Sequence, residues 1–341
     1  MNLPFGGEDI LKVVSTPSIP NPKPGTPEHD NALARAKSSR SIGAMPWLPQ
    51  DPTDEWAKEL YERIEEAERT YTAPNLRYEE YIQGTATEPD EIATVKNEEI
   101  VDPYLFTAEH ATWPINVKTN EYREAGPDAG TGGLAAVMAE DYGTALIMRG
   151  RQTSNVPSLA EHKIRPLISK ELARSIGFMS VHGQFPGKFV HQSDRSEIHA
   201  CIGLGIDPTE AMRDFARKVV LGARDIGLYA VISNDQPAYI QQRHSTRLKR
   251  KEDGTPKLSQ LAAAKNPKMT TNYSREVLRE MGRNIPSFQM ELTNMLLLTT
   301  SEGVRKDKKS RIIGVALGYK LLEKVVQLTF QEIGPQTGVL I

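Results

Sequence analysis

Four side chains of metal-binding type, His182, His191, His199 and Cys201, fall within a twenty-residue stretch, with Asp194 and Glu197 between them. Imidazole, thiolate and carboxylate are zinc ligands, and a zinc-activated water is a hydrolytic nucleophile near neutral pH. The spacing fits no established ligand pattern, and no pair forms the His-Glu-x-x-His arrangement. On a helix His199 and Cys201, two apart, would face apart. The plainer expectation is histidines scattered through a loop that leads to a helix. A metal-dependent hydrolase using the cluster at 182–201 stands as the alternative. Cys201 is the only cysteine, which rules out an internal disulfide and suits a reducing compartment. Its ordinary use is as a small buried hydrophobe.

The second chemical candidate is the glycine-rich stretch Gly126-Pro127-Asp128-Ala129-Gly130-Thr131-Gly132-Gly133, ahead of a helical pattern starting at Leu134. A glycine loop feeding a helix N-terminus suits phosphate. This one lacks the lysine and Ser/Thr of a P-loop, and Asp128 would repel a phosphate. It reads as a flexible connection, a hinge between two halves of unlike charge. The carboxylates between Glu59 and Glu68 read as a solvated helix face, and no paired catalytic acids or Ser-His-Asp set stand out.

The third candidate is cationic. Arg149 and Arg151 form one cluster, Arg243, Arg247, Lys249, Arg250 and Lys251 a second, and Arg305, Lys306, Lys308, Lys309 and Arg311 a third. Lysine and arginine displace the counterions of a polyanion, and arginine grips a phosphate with two bonds. No zinc finger, RNP-type aromatic motif or GXXG clamp accompanies them, so contacts would go to the nucleic-acid backbone. The charge distribution agrees. Residues 1–141 carry 26 acidic and 12 basic side chains, −14. Residues 142–341 carry 18 and 30, +12, and the sum is the net −2. Such asymmetry suits a polyanion partner for the basic half, or contact between unlike halves of neighbouring subunits.

The elements that would carry these groups read as helices. Residues 1–52 hold nine of the 23 prolines, which exclude a long helix or central strand and indicate an extended arm. Leu3, Phe5, Ile10, Leu11, Val13 and Val14 near its tip suit docking. An acidic helix follows from Asp54 to Pro74, with Trp56, Leu60, Ile64, Ala67 and Tyr71 on one face. A short hairpin is allowed at Trp113 to Tyr122. Further helices are expected at 134–148, from a capping box at Ser158 to Glu161 through Ile176, from Asp207, from Tyr273 to Met281 and on past Pro286 through Leu298, and at 310–330. The last is apolar on most sides and belongs in the core.

The resulting expectation is a mainly α protein in three parts: an extended arm at 1–52, an acidic helix plus irregular segment at 53–133, and a basic helical core at 134–341. No run of eighteen apolar residues indicates a membrane span. The layout is similar to that of viral coat proteins and nucleoproteins, without a motif match. It implies a self-assembling, non-enzymatic structural protein without cofactor or metal, intracellular and cytoplasmic or carried in a virion. Its partners would be RNA, bound through the backbone, and other copies of itself, bound through the arm. A protein-only assembly scaffold is a further alternative.

Overall fold

In a computed structural model the residues described are 55–72, 91–111, 114–116, 121–122, 128, 130–149, 152–153, 164–184, 199–233, 239–242, 245–248, 252–254, 270–293, 296–297 and 308–333. The expected arm therefore lies outside them. The centre of the fold is a mixed sheet of seven strands: β1 (Glu91–Lys96), β2 (Tyr104–Ala108), β5 (Gly143–Arg149), β7 (Gly177–Gln184), β8 (Ala200–Gly203), β9 (Ala230–Ile232) and β12 (Ser287–Thr293). Their order is β1-β5-β2-β7-β12-β8-β9. The four central strands, β5, β2, β7 and β12, run parallel. β1 is antiparallel to β5, and β8, which pairs parallel with β9, is antiparallel to β12. This α/β architecture corrects the expectation of a mainly α protein with one hairpin. The hairpin does exist, as β3 (Pro114–Asn116) against β4 (Glu121–Tyr122), joined by β6 (Gln152–Thr153). A separate pair, β10 (Tyr239–Gln242) and β11 (Ser245–Leu248), is also antiparallel.

The described helices are α1 (Glu55–Tyr71), α2 (Thr131–Tyr142), α3 (Ile164–Leu172), α4 (Glu210–Asp225), α5 (Thr270–Glu280) and α6 (Lys308–Ile333). α1 buries Ala57, Leu60, Tyr61, Ile64 and Ala67 at helical spacing, while Trp56 stays 40% exposed. The expected helix at 134–148 is instead a helix and a strand. α2 stops at Tyr142, and Gly143 takes φ 150°, close enough to β2 that a Cβ would lie 2.5 Å from the backbone of Tyr104. The apolar residues after it form β5. Likewise, the region after Pro286 is the central strand β12, and Ile176 is followed by strand β7. α4 is capped by Thr209, whose hydroxyl accepts from the Met212 N–H, two residues after the expected Asp207 start.

Cross-strand partners share a face, so the register divides the sheet into two surfaces. One face is apolar throughout: Phe106, Met179, Val181, Phe288, Met290, Leu292, Ile202 and Ile232 pack against α1, α2, α4 and α6 in the main core. The other face is split. At the amino ends of the parallel strands Leu105, Leu146 and Phe178 pack against α3 and α5 in a second core. Toward the carboxyl ends the same face turns polar, with Thr107, Ser180, His182, Gln289, Glu291 and Thr293 all buried.

Candidate metal centre

The polar end of this face lies where parallel α/β sheets place their ligands, at the carboxyl ends of the strands. β2 delivers Glu109 and His110 immediately past its last residue. β7 delivers His182, and in β12 Glu291 is the register partner of His182. Asp128 arrives from the segment before α2. Its backbone N–H donates to the His110 carbonyl at 2.8 Å, and its own carbonyl accepts from the Thr131 N–H and hydroxyl at 3.1 and 2.7 Å.

Three ligand atoms converge. His182 Nδ1 lies 3.2 Å from His110 Nδ1 and 3.4 Å from Asp128 Oδ2, and His110 Nδ1 lies 3.5 Å from the same oxygen. Ligands held about 2.0–2.1 Å from a tetrahedral zinc are about 3.3 Å from each other. The triangle is thus that of three ligands sharing one ion, and these residues form a group able to hold a metal. The two imidazoles meet edge to face, with centroids 4.6 Å apart.

A second set of groups fixes His182. The Thr107 hydroxyl donates to Glu109 Oε1 at 2.8 Å, and Ser180 Oγ donates to the same carboxylate at 2.9–3.0 Å. Ser180 Oγ, its proton committed to Glu109, can only accept from His182 Nε2 at 2.8 Å, with Glu109 Oε2 a further 3.4 Å acceptor. In the neutral imidazole the proton therefore sits on Nε2 and the Nδ1 lone pair points into the cluster. Carboxylate–histidine pairs orient metal ligands in this way.

Charge and burial reinforce the arrangement. Burial alone would raise the Glu109 pKa, but the hydrogen bond and charge of His182 outweigh it and bring it to about 2. For Asp128, burial is outweighed by His110 and His182, and the carboxyl falls well below its ordinary value. Burial opposes a charge on His182, yet Asp128 and Glu109 raise its pKa well above the usual 6.5. The His110 and Asp128 side chains are 33% and 18% exposed, against 5% for His182 and 1% for Glu109. The cluster is therefore open to solvent on the His110 and Asp128 side and closed beneath.

The structure brings His182 from the 182–201 group into the centre, and His110 and Asp128 replace the others. His199 is buried at the head of β8, with Nδ1 accepting from the Tyr229 N–H at 2.9 Å. Cys201 is buried opposite Glu291, and burial pushes its thiol pKa up, which suppresses the thiolate. His191, Asp194 and Glu197 lie outside the described residues. The glycine stretch is no hinge at residues 130–133: a Cβ on Gly133 would lie 2.3 Å from the Ile64 carbonyl. A signal for the missed ligands was present, since Glu109-His110 ends the apolar run 104–108 and Asp128 opens a helix-bound turn.

Among the basic residues, Arg149 ends β5 and Arg247 lies in β11. Lys308, Lys309 and Arg311 are in the first turns of α6, with Lys308 Nζ 5.9 Å from the Tyr61 ring centroid. Arg151, Arg243, Lys249, Arg250, Lys251, Arg305 and Lys306 lie outside the described residues.

No protein-family profile matches the chain, and no curated protein matches it in sequence. Several solved structures resemble it distantly. An N-formylglutamate amidohydrolase from Ralstonia eutropha JMP134 is 12% identical with a TM-score of 0.41, over 70% of this chain and 97% of that one. A bacteriophage poly-gamma-glutamate hydrolase is 12% identical with a TM-score of 0.36, over 71% and 93%. A leucine aminopeptidase from Caenorhabditis elegans is 12% identical with a TM-score of 0.34, over 89% and 68%. Likenesses this distant carry no activity across. The expectation of a non-enzymatic capsid protein or nucleoprotein is nevertheless corrected. The chain is an α/β protein with ligand-type residues gathered at the carboxyl ends of its parallel strands. That arrangement fits the metal-dependent hydrolase alternative better than a coat protein. Among the described residues no helix is long and apolar enough to cross a membrane.

Proposed function

We propose that this chain is a metal-dependent hydrolase whose ion is held by His110, Asp128 and His182. The observation that carries the reading is the triangle of 3.2, 3.4 and 3.5 Å between their ligand atoms. Two imidazoles and a carboxylate are a zinc donor set, and three protein ligands leave a fourth position open. Bound there, the ion would polarise a carbonyl oxygen and activate water. A single ion of this kind serves attack on a carbonyl, in an amide or ester.

The chain's own groups divide the remaining work. Glu109 and Ser180 hold His182 in the tautomer that leaves Nδ1 free. Glu291, one strand over, is a buried carboxylate whose negative charge acts on His182. Adjacent strands are about 4.8 Å apart. Glu291 is thus placed to take the proton of an attacking water and return it to the leaving group. The Gln289 amide donates to Glu291 Oε1 at 2.6 Å and steadies it. Gln289 Oε1 and the Thr293 hydroxyl are buried on the same face without a hydrogen-bond partner in the structure, which suits a polar substrate.

Elemental analysis of the purified chain, followed by a panel of amide and ester substrates, tests the proposal. It predicts one divalent ion per chain, lost in His182→Ala together with hydrolysis. A wild-type chain that takes up no divalent metal would sink it.

A further inference from the structure

Glu68 lies in the last turn of α1, in a row of glutamates whose pattern suggests a solvated surface. Its carboxylate instead turns inward to the start of α2. Oε1 accepts from the Gly130 N–H at 2.8 Å, and Oε2 accepts from the Gly133 N–H at 2.5 Å. α2 has no cap of its own, because its N-cap residue is Gly130, with φ 90° and no side chain to accept. A carboxylate from a different helix thus meets the orphan donors and the positive end of the α2 dipole.

The fit is close. A Cβ on Gly132 would lie 3.2 Å from Glu68 Oε2, and one on Gly133 would lie 2.9 Å from Glu68 Cβ. Thr72, one turn on, donates its hydroxyl to the Glu68 carbonyl at 2.5 Å and would itself lie 2.4 Å from a Cβ on Gly132. A serine or aspartate at the N-cap would satisfy the helix locally. The long-range carboxylate does something a local cap cannot: it ties α1 to the backbone two residues beyond Asp128. Asp128 is already tied on its other side to the His110 carbonyl.

We infer that Glu68 is a positioning residue for the metal centre, clamping the turn that presents Asp128 and so setting the affinity of the site for its ion. This rests on the reading of His110, Asp128 and His182 as ligands. Partners one step behind the ligands typically govern metal affinity by about ten- to a hundredfold.

The test compares wild type, Glu68→Gln and Arg283→Ala in full-length protein. The Arg283 guanidinium donates to the carbonyls of Leu172 and Ser175, at the opposite end of the strands, so its loss destabilises the fold away from the centre. Zinc affinity is measured by competition with a chromophoric chelator, well below each melting temperature. Amide exchange at Gly130 and Gly133 is followed by NMR. Expected are zinc binding weakened about ten- to a hundredfold in Glu68→Gln, with faster exchange at both glycines, and unchanged zinc affinity in Arg283→Ala. Glu68→Gln with wild-type zinc affinity would overturn the inference, as would an equal loss in Arg283→Ala. A wild type that binds no zinc would overturn the metal reading itself. Should Glu68→Gln not fold, Gly130→Ala, which strains the same turn at φ 90°, replaces it with the same expected loss.

Discussion

The two surfaces of strand β12 show what separates a structural face from a chemical one. Phe288, Met290 and Leu292 point one way into the main core, while Ser287, Gln289, Glu291 and Thr293 point the other way and are equally buried. An alternating strand ordinarily turns its polar side to water. Here both sides are enclosed, so every polar group on the second face carries a desolvation cost that some interaction must offset. Hydrogen bonds offset part of it: Ser274 to Ser287, Gln289 to Glu291, and Thr107 and Ser180 to Glu109. The same face at the other end of the strands is covered by helices mainly through apolar side chains, Leu105, Leu146 and Phe178, with Thr144 and Ser287 the buried polar exceptions. Polarity near His182 is therefore not imposed by the fold.

The sharpest way to break this comparison is to delete one residue from each face. Phe288→Ala should lower stability by about 3–5 kcal/mol, the cost of a large core cavity, while molecules that remain folded keep their zinc. His182→Ala should do the reverse for the metal: zinc binding and hydrolysis are lost even in molecules that remain folded, although leaving the Glu109 and Asp128 carboxylates without their cation also costs stability. If His182→Ala retained full zinc occupancy, the functional reading of the polar face would fail. Glu109→Gln comes next in size. It leaves the ligands in place but replaces the acceptor beneath His182, so zinc affinity should fall by about ten- to a hundredfold, measured by chelator competition. Unchanged affinity would reduce Glu109 to a packing residue.

The two faces were not equally legible in the sequence. The residues 287–293 alternate polar and apolar without a fault, and 178–183 nearly do, a two-residue period that belongs to strands. It was obscured in two ways. Helical spacing runs across Pro286 and, in the other region, as far as Ile176 at the edge of the strand, and a buried polar face resembles the solvated side of a helix. The apolar run after Gly143 has no period of its own, being covered on both sides, so α2 and β5 read as one helix. α1 and α6 were legible, because an apolar stripe and an all-round apolar helix are local patterns. Of the candidate metal centre, only His182 was legible. His110 and Asp128 are eighteen residues apart in sequence and meet it through sheet register and a turn, neither of which spacing can reveal. Charge asymmetry points to the cations, whereas burial marks the acids Glu109 and Glu291.

A smaller effect sharpens the comparison through pH. Without metal, the imidazolium of His182 stands between two carboxylates. Its pKa is raised, so its contribution to stability is complete below about pH 6.5 and is lost as pH rises through the folded value. Glu109 is lowered from 4.5 to about 2 and Asp128 is lowered from 3.8, so their contributions hold above those ordinary values and are lost as pH falls. Metal-free stability from this centre should thus peak between about pH 5 and about pH 6.5 and decline on the alkaline side. Zinc replaces the proton, so the gain in melting temperature on adding zinc should grow with pH over the range where the metal-free protein weakens. Paired melts from about pH 5 to about pH 9 read this directly, and a zinc gain independent of pH would exclude His182 as a ligand.

The smallest effect concerns Cys201, which shares the polar face and sits opposite Glu291 in register. Sequence proximity to His199 made it a ligand candidate, yet its thiol is buried, its pKa is raised, and it lies apart from the triangle of ligand atoms. Its surroundings are those of a packing residue: Val231 and Tyr229 lie against it. Cys201→Ala should therefore cost about 1 kcal/mol or less, for the small volume removed, and leave zinc stoichiometry and hydrolysis as in wild type. The thiol should also resist alkylation in the folded protein and react only on unfolding. The comparison would then run within one face. Two neighbours on adjacent strands, Glu291 and Cys201, are equally enclosed, but only the carboxylate acts electrostatically on His182 while ionised. A loss of zinc in Cys201→Ala would mean that the centre extends across β12, and the ligand set would have to be redrawn to include β8.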